Sequence, residues 1–127
     1  MQNLNIEAQS ETPEINLNAE TGLLEFKGRS LPEDVNSFYQ QVINWVEEYL
    51  KNPASATKAV FKLEYFNTAS SKAIYEILVM LDKLASGNDV SVSWYYETDD
   101  EDMLDIGKEF KENLQLDFNI ISIDAIL

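Results

Sequence analysis

The stretch Tyr65-Phe66-Asn67-Thr68-Ala69-Ser70-Ser71-Lys72 joins two different hydrophobic periods, and its reading decides the fold. Before it, Ala59, Phe61, Leu63 and Tyr65 alternate with Val60, Lys62 and Glu64, a period of two that predicts a strand from about Ala56 to Phe66. After it, Ile74, Ile77, Leu78, Leu81 and Leu84 recur at helical spacing, predicting a helix from about Ser70 to Ala85 stopped by Ser86-Gly87-Asn88. A strand therefore runs almost directly into a helix, with Thr68, Ser70 and Ser71 on the corner. A helix start carries about four backbone N–H groups without intrahelical partners and roughly half a positive charge, so it can be capped by a hydroxyl or can hold a phosphate.

On the N-terminal side, Leu4 and Ile6 alternate with polar neighbours as a short first strand. Thr12-Pro13 opens a second, with Ile15 and Leu17 on one face, and the proline suits an edge or a strand start. Thr21-Gly22 is the turn into Leu23 to Lys27, which Gly28-Arg29-Ser30 closes. Leu31-Pro32-Glu33-Asp34 has helix-start chemistry. The helix that follows carries Val35, Phe38, Val42, Trp45, Val46 and Tyr49 on one stripe and ends before Asn52-Pro53.

On the C-terminal side, Val90, Val92, Trp94 and Tyr96 alternate with Ser91, Ser93 and Tyr95 as a further strand. Asp99-Asp100-Glu101-Asp102 leads into a third helix with Met103, Ile106, Phe110 and Leu114 inward, and a last strand lies near Phe118 to Ile123. Helices between successive strands imply right-handed crossovers and a parallel portion, while the initial hairpin adds an antiparallel one. Alternating strands imply one covered and one partly wet face. The expected fold is a single two-layer α/β domain over 1–127, with a mixed sheet of five to six strands and three main helices largely on one face.

At 127 residues such a domain buries a core without disulfides. The chain has neither cysteine nor histidine, which removes thiol nucleophiles, Ser-His pairs and imidazole or thiolate metal ligands. A net charge of −14 repels phosphate backbones and anionic membranes, so nucleic acid is not an expected partner. The first residues lack the basic stretch and apolar run of a signal peptide, and no apolar run is long enough for direct membrane insertion. A cytoplasmic protein is expected.

Few residues carry recognisable chemistry. Asp99, Asp100, Glu101, Asp102 and Asp105 offer oxygens for a carboxylate-dependent enzyme or for Mg²⁺ or Ca²⁺, but their spacing is not that of an EF-hand loop and fits a solvated helix start, so no metal is placed there. The four glycines are scattered and form no phosphate loop, and no catalytic residues or cofactor are assigned. Trp45, Tyr49, Trp94 and Tyr96 have core spacing, whereas Tyr95 shares the wet face with Ser91 and Ser93. For the hydroxyl corner two readings stay open: Thr68 or Ser70 caps the helix, as in a plain structural adaptor, or one hydroxyl is a modified switch.

Tyr65-Phe66-Asn67-Thr68-Ala69-Ser70-Ser71-Lys72, with Trp94-Tyr95-Tyr96-Glu97 and Asp99-Asp100-Glu101-Asp102, resembles the SiaC-type family of bacterial regulatory phosphoproteins. Thr12-Pro13, Gly28-Arg29-Ser30, Pro32-Glu33 and Trp45 agree, and Ala69 departs mildly where serine or another small residue is expected. The resemblance implies a fold related to STAS domains and a partner-switching role. It implies phosphorylation of Thr68 by a cognate protein kinase, reversal by a PPM-type serine/threonine phosphatase, and an unphosphorylated form that activates a GGDEF diguanylate cyclase, raising cyclic di-GMP and favouring biofilm. Asn67, Ala69, Ser70, Ser71 and Lys72 are then the phosphate surroundings. Phe66, Tyr75 and Val79, the last two on an i, i+4, i+8 row from Ser71, are the expected partner contacts, with packing against a neighbouring helix as the alternative for that row.

Overall fold

The computed structural model describes residues 1–126. Its elements are β1 (Leu4–Ile6), β2 (Glu14–Leu17), β3 (Leu23–Ser30), α1 (Val35–Lys51), β4 (Ala56–Phe66), α2 (Thr68–Leu84), β5 (Asp89–Glu97), α3 (Glu101–Asn113) and β6 (Asp117–Ile123). Six strands form one sheet in the order β1-β2-β3-β4-β5-β6. β1, β2 and β3 pair antiparallel, and β3 through β6 pair parallel. Each parallel step moves in the same direction across the sheet. With right-handed crossovers, that order puts α1, α2 and α3 on one face.

Side-chain register shows which face they cover. Ile15, Phe26, Phe61, Trp94 and Ile120 follow one another across adjacent strands, and the first four are essentially inaccessible. Phe26 stacks on Phe61 at 4.5 Å, and Trp94 meets Phe66, Phe110 and Phe118 within 6.2 Å. Burying each such ring stabilises by ~1.5–3 kcal/mol, so this aromatic seam is the mechanical centre of the domain. The opposite face is part-exposed, with Lys62 Nζ 4.8 Å from the centre of the Tyr95 ring.

Two glycines fix close approaches. Gly22, at φ +77, turns β2 into β3, and a Cβ there would lie 2.0 Å from the Ala56 carbonyl oxygen. Gly107 brings α3 onto Trp94, where a Cβ would meet the indole at 2.6 Å, and Trp94 Nε1 donates to the Met103 carbonyl at 3.1 Å. The helical stripe of α1 also differs from its expected form: Tyr39 and Ile43 are buried with Val42, Trp45, Val46 and Tyr49, whereas Val35 and Phe38 are half-buried. β3 continues through Gly28 to Ser30 instead of closing at Lys27, which carries Ser30 into the core.

Candidate functional site

The C-terminal ends of the parallel strands lie at the rim where all three helices begin, and the corner at Thr68 is built there from both sequence neighbours and distant residues. Asn67 is the helix cap: its side-chain oxygen accepts from Ser70 N at 2.8 Å, and its carbonyl accepts from Ser71 N at 3.0 Å. The capping expected of Thr68 or Ser70 is therefore corrected. Thr68 is the first helical residue and is exposed. Its hydroxyl has no hydrogen-bond partner among the described residues.

Ser70 points the other way and is fully buried. Its hydroxyl donates to the Ser30 carbonyl at 3.0 Å, Ser30 Oγ donates to Ser70 Oγ at 2.9 Å, and Tyr39 Oη lies 2.6 Å from Ser30 Oγ. Both serine protons are thus committed, so Tyr39 is the donor to Ser30. Asn67 N also donates to the Ser30 carbonyl at 3.1 Å. This closed chain of hydroxyls ties β3, α1 and the first turn of α2 together. Burial pushes the Tyr39 phenol up to about 12, with the bonds to Ser30 and Ser70 pulling partly back.

Of the other expected phosphate surroundings, Ala69 and Lys72 are exposed, Asn67 and Ser71 are half-buried, and Ser70 is inside. Thr68, Ala69 and Lys72 line one wall of a groove of about 520 Å³ whose other wall is Val35, Asn36, Gln40, Ile43 and Glu47 of α1. On the opposite flank of α2, Tyr75 stacks against Phe110 of α3 at 5.5 Å, and Asp82 accepts from Gln115 N and Leu116 N. Tyr75 and Val79 are only half-exposed and pack against the core. For Tyr75, contact with a neighbouring helix is what the geometry shows. Phe66, expected among the partner contacts, is only 7% exposed: it packs edge-on against Trp94 at 6.1 Å, supports the corner from beneath and reaches the surface only as part of the lining of a cleft it shares with Met103 and Ile106.

Tyr65 occupies the exposed position instead. Gly28 pairs with Leu63 and Arg29 with Tyr65, so Glu64 is an extra residue with no partner on β3. Such a bulge reverses which residues face in: Leu63 and Phe66 are both buried, and Tyr65 is 49% exposed. Glu64 keeps one carboxylate oxygen buried without a hydrogen-bond partner. Strict alternation places Tyr65 inward, and the bulge puts it outside.

The acids of α3 serve its start. Asp100 accepts from Met103 N at 3.0 Å as the cap, with Glu101 and Asp102 in the first turn. Among the described residues no group of three or more acids is arranged to share a metal ion, and no helix is long and apolar enough to cross a membrane.

A six-stranded mixed sheet with three helices, α2 opening on an exposed threonine, places the chain among single-domain α/β proteins. Residues 6–123 match the model of the SiaC family regulatory phosphoproteins, and the chain belongs to that family. It is 33% identical over 121 residues to an uncharacterised protein of Pseudomonas aeruginosa strain UCBPP-PA14, covering 94% of this chain and 96% of that one. Apo-SiaC from Pseudomonas aeruginosa superposes with a TM-score of 0.87 at 33% identity, covering 95% of this chain and 99% of that one. SiaC of the same organism, solved in complex with the diguanylate cyclase SiaD that it activates, gives 0.89 at 32% identity, covering 94% and 99%.

Proposed function

We propose that the protein is a non-enzymatic partner-switching regulator whose reversible phosphorylation at Thr68 controls binding to, and activation of, a GGDEF diguanylate cyclase, and thereby cyclic di-GMP output and biofilm formation. A cognate kinase and a PPM-type phosphatase set its state in the cytoplasm. One observation carries the reading: Thr68 is exposed at the first position of a helix whose first turn contains no acidic residue. The activated cyclase bound by the Pseudomonas aeruginosa relative supports the choice of effector.

A phosphate adds about −1.5 to −2 charge and three strong acceptors, and at this position it meets free helix N–H groups, so the scaffold stays whole. Its effect falls on docking. A partner that covers Thr68 must strip water from a near-dianion, which costs several kcal/mol unless a cation compensates. Long-range repulsion is a lesser effect, because a chain of charge −14 favours basic partner surfaces.

Intact-mass spectrometry of protein from its native cell should show a species about 80 Da heavier that maps to Thr68. In pull-downs with the cyclase, Thr68→Ala should bind at all times and the phosphorylated form should not. Loss of binding by a normally folded Thr68→Ala would refute the occlusion mechanism.

A further inference from the structure

Beside the Thr68 corner, on the side away from α1, lies a second cleft of about 390 Å³ lined by Tyr65, Phe66, Met103 and Ile106 and rimmed by Asp100, Asp102 and Asp105. Among the described residues, the only large apolar side chains classed as exposed are Met1 and Tyr65. Tyr65 is held out by the bulge at Glu64. Bulges recur where a side chain must be re-aimed, and without this one Tyr65 would fall on the core side while Phe66 faced outward. The floor is apolar, Met103 and Phe66 being buried and Ile106 half-buried.

We infer that this cleft is a docking site for a basic, amphipathic segment of a protein partner, which inserts a large aliphatic side chain against Tyr65 and Ile106 and sets arginines or lysines on Asp102 and Asp105. Charge selects the occupant. Asp102 and Asp105 are exposed and Asp100 half-exposed, with no ion pair to any of them among the described residues. An acidic segment or a second copy of this chain, at −14 each, meets like charge there. An exposed tyrosine with an apolar floor supplies the anchor, since aromatic side chains in desolvated pockets dominate binding energy. Rim carboxylates supply steering and register.

The inference rests on the reading of the protein as a partner-binding regulator, but not on Thr68: the groove toward α1 responds to phosphate, while this cleft recognises the segment. The two are separable by experiment. Full-length ¹⁵N-labelled protein is titrated with a synthetic helical peptide bearing leucines on one face and arginines beside them, and with its counterpart carrying glutamate for arginine. The arginine peptide should bind saturably, shift the amides of Tyr65, Phe66 and Asp102 to Ile106, and weaken as salt rises from about 50 to 300 mM. Tyr65→Ala, and separately Asp102→Lys with Asp105→Lys, should each lower its affinity by about tenfold or more with unchanged circular dichroism. Thr68→Ala should bind it as the parent does, and the glutamate peptide should not bind. Absence of saturable binding, shifts centred on Lys62 and Tyr95 of the open sheet face, or equal affinity in the variants would overturn the cleft and leave the switch at Thr68 standing. Failure of phosphate at Thr68 to affect the cyclase would do the reverse.

Discussion

Two of the three strand-to-helix corners at the rim, β4 into α2 and β5 into α3, solve the same electrostatic problem differently. At α3, Asp100 caps the helix, and Glu101 and Asp102 place fixed carboxylates in the first turn. At α2, Asn67 provides a neutral cap, Ser70 turns inward, and the first turn holds no acid. A helix N-terminus favours negative charge by ~0.3–1 kcal/mol per group, and α3 carries that charge permanently. In α2 the place is open and has an exposed hydroxyl in it. The difference teaches why the α2 corner is the better suited of these two to the proposed switch: a phosphoryl group on Thr68 would complete α2 in the way carboxylates already complete α3.

The largest stability effect should come from the inner half of the α2 corner. Ser70→Ala leaves Ser30 Oγ with a buried proton and no acceptor, and should cost ~1–3 kcal/mol in denaturant unfolding. A loss below that range would mean that the hydroxyl chain does not anchor the helix. The same chain has an alkaline signature. Tyr39 ionises near its ordinary 10 when unfolded but at about 12 when folded. The folded state therefore holds the proton longer, and stability is full below 10 and falls as pH rises toward 12. Tyr39→Phe should flatten that part of the fall in a thermal-melt series, and an unchanged slope would contradict the assignment.

Smaller effects test the corners directly. Asn67→Ala and Asp100→Ala each remove a cap and should each cost ~1 kcal/mol. Thr68→Glu should instead gain ~0.3–1 kcal/mol, because it adds the missing first-turn acid, whereas Asp102→Asn should lose a similar amount. If Thr68→Glu destabilised the protein, the likeness between phosphate at α2 and carboxylate at α3 would be broken.

Much of this rim was legible in the chain itself. Alternation in Ala59 to Leu63 and Val90 to Tyr96, and helical spacing in Ile74 to Leu84, placed the parallel strands and α2, because these periods record burial on one face. The corner was legible as a hydroxyl cluster, but not which hydroxyl faces outward. That depends on Ser30 and Tyr39, 40 and 31 residues before Ser70, and sequence spacing does not reveal contacts at that range. The exchange of Tyr65 and Phe66 was hidden for a related reason: a single inserted residue at Glu64 reverses the facing of all that follows it. Gly107 was passed over because its role is the space it leaves for Trp94.

The most direct test pairs two readings on one sample: protein stoichiometrically phosphorylated at Thr68, measured for thermal stability and for affinity to the proposed diguanylate cyclase effector. The account predicts a melting temperature equal to or above that of the unmodified protein, together with roughly thousandfold weaker binding, equivalent to ~4 kcal/mol. Undiminished affinity, or weaker binding accompanied by a clear loss of stability, would contradict it.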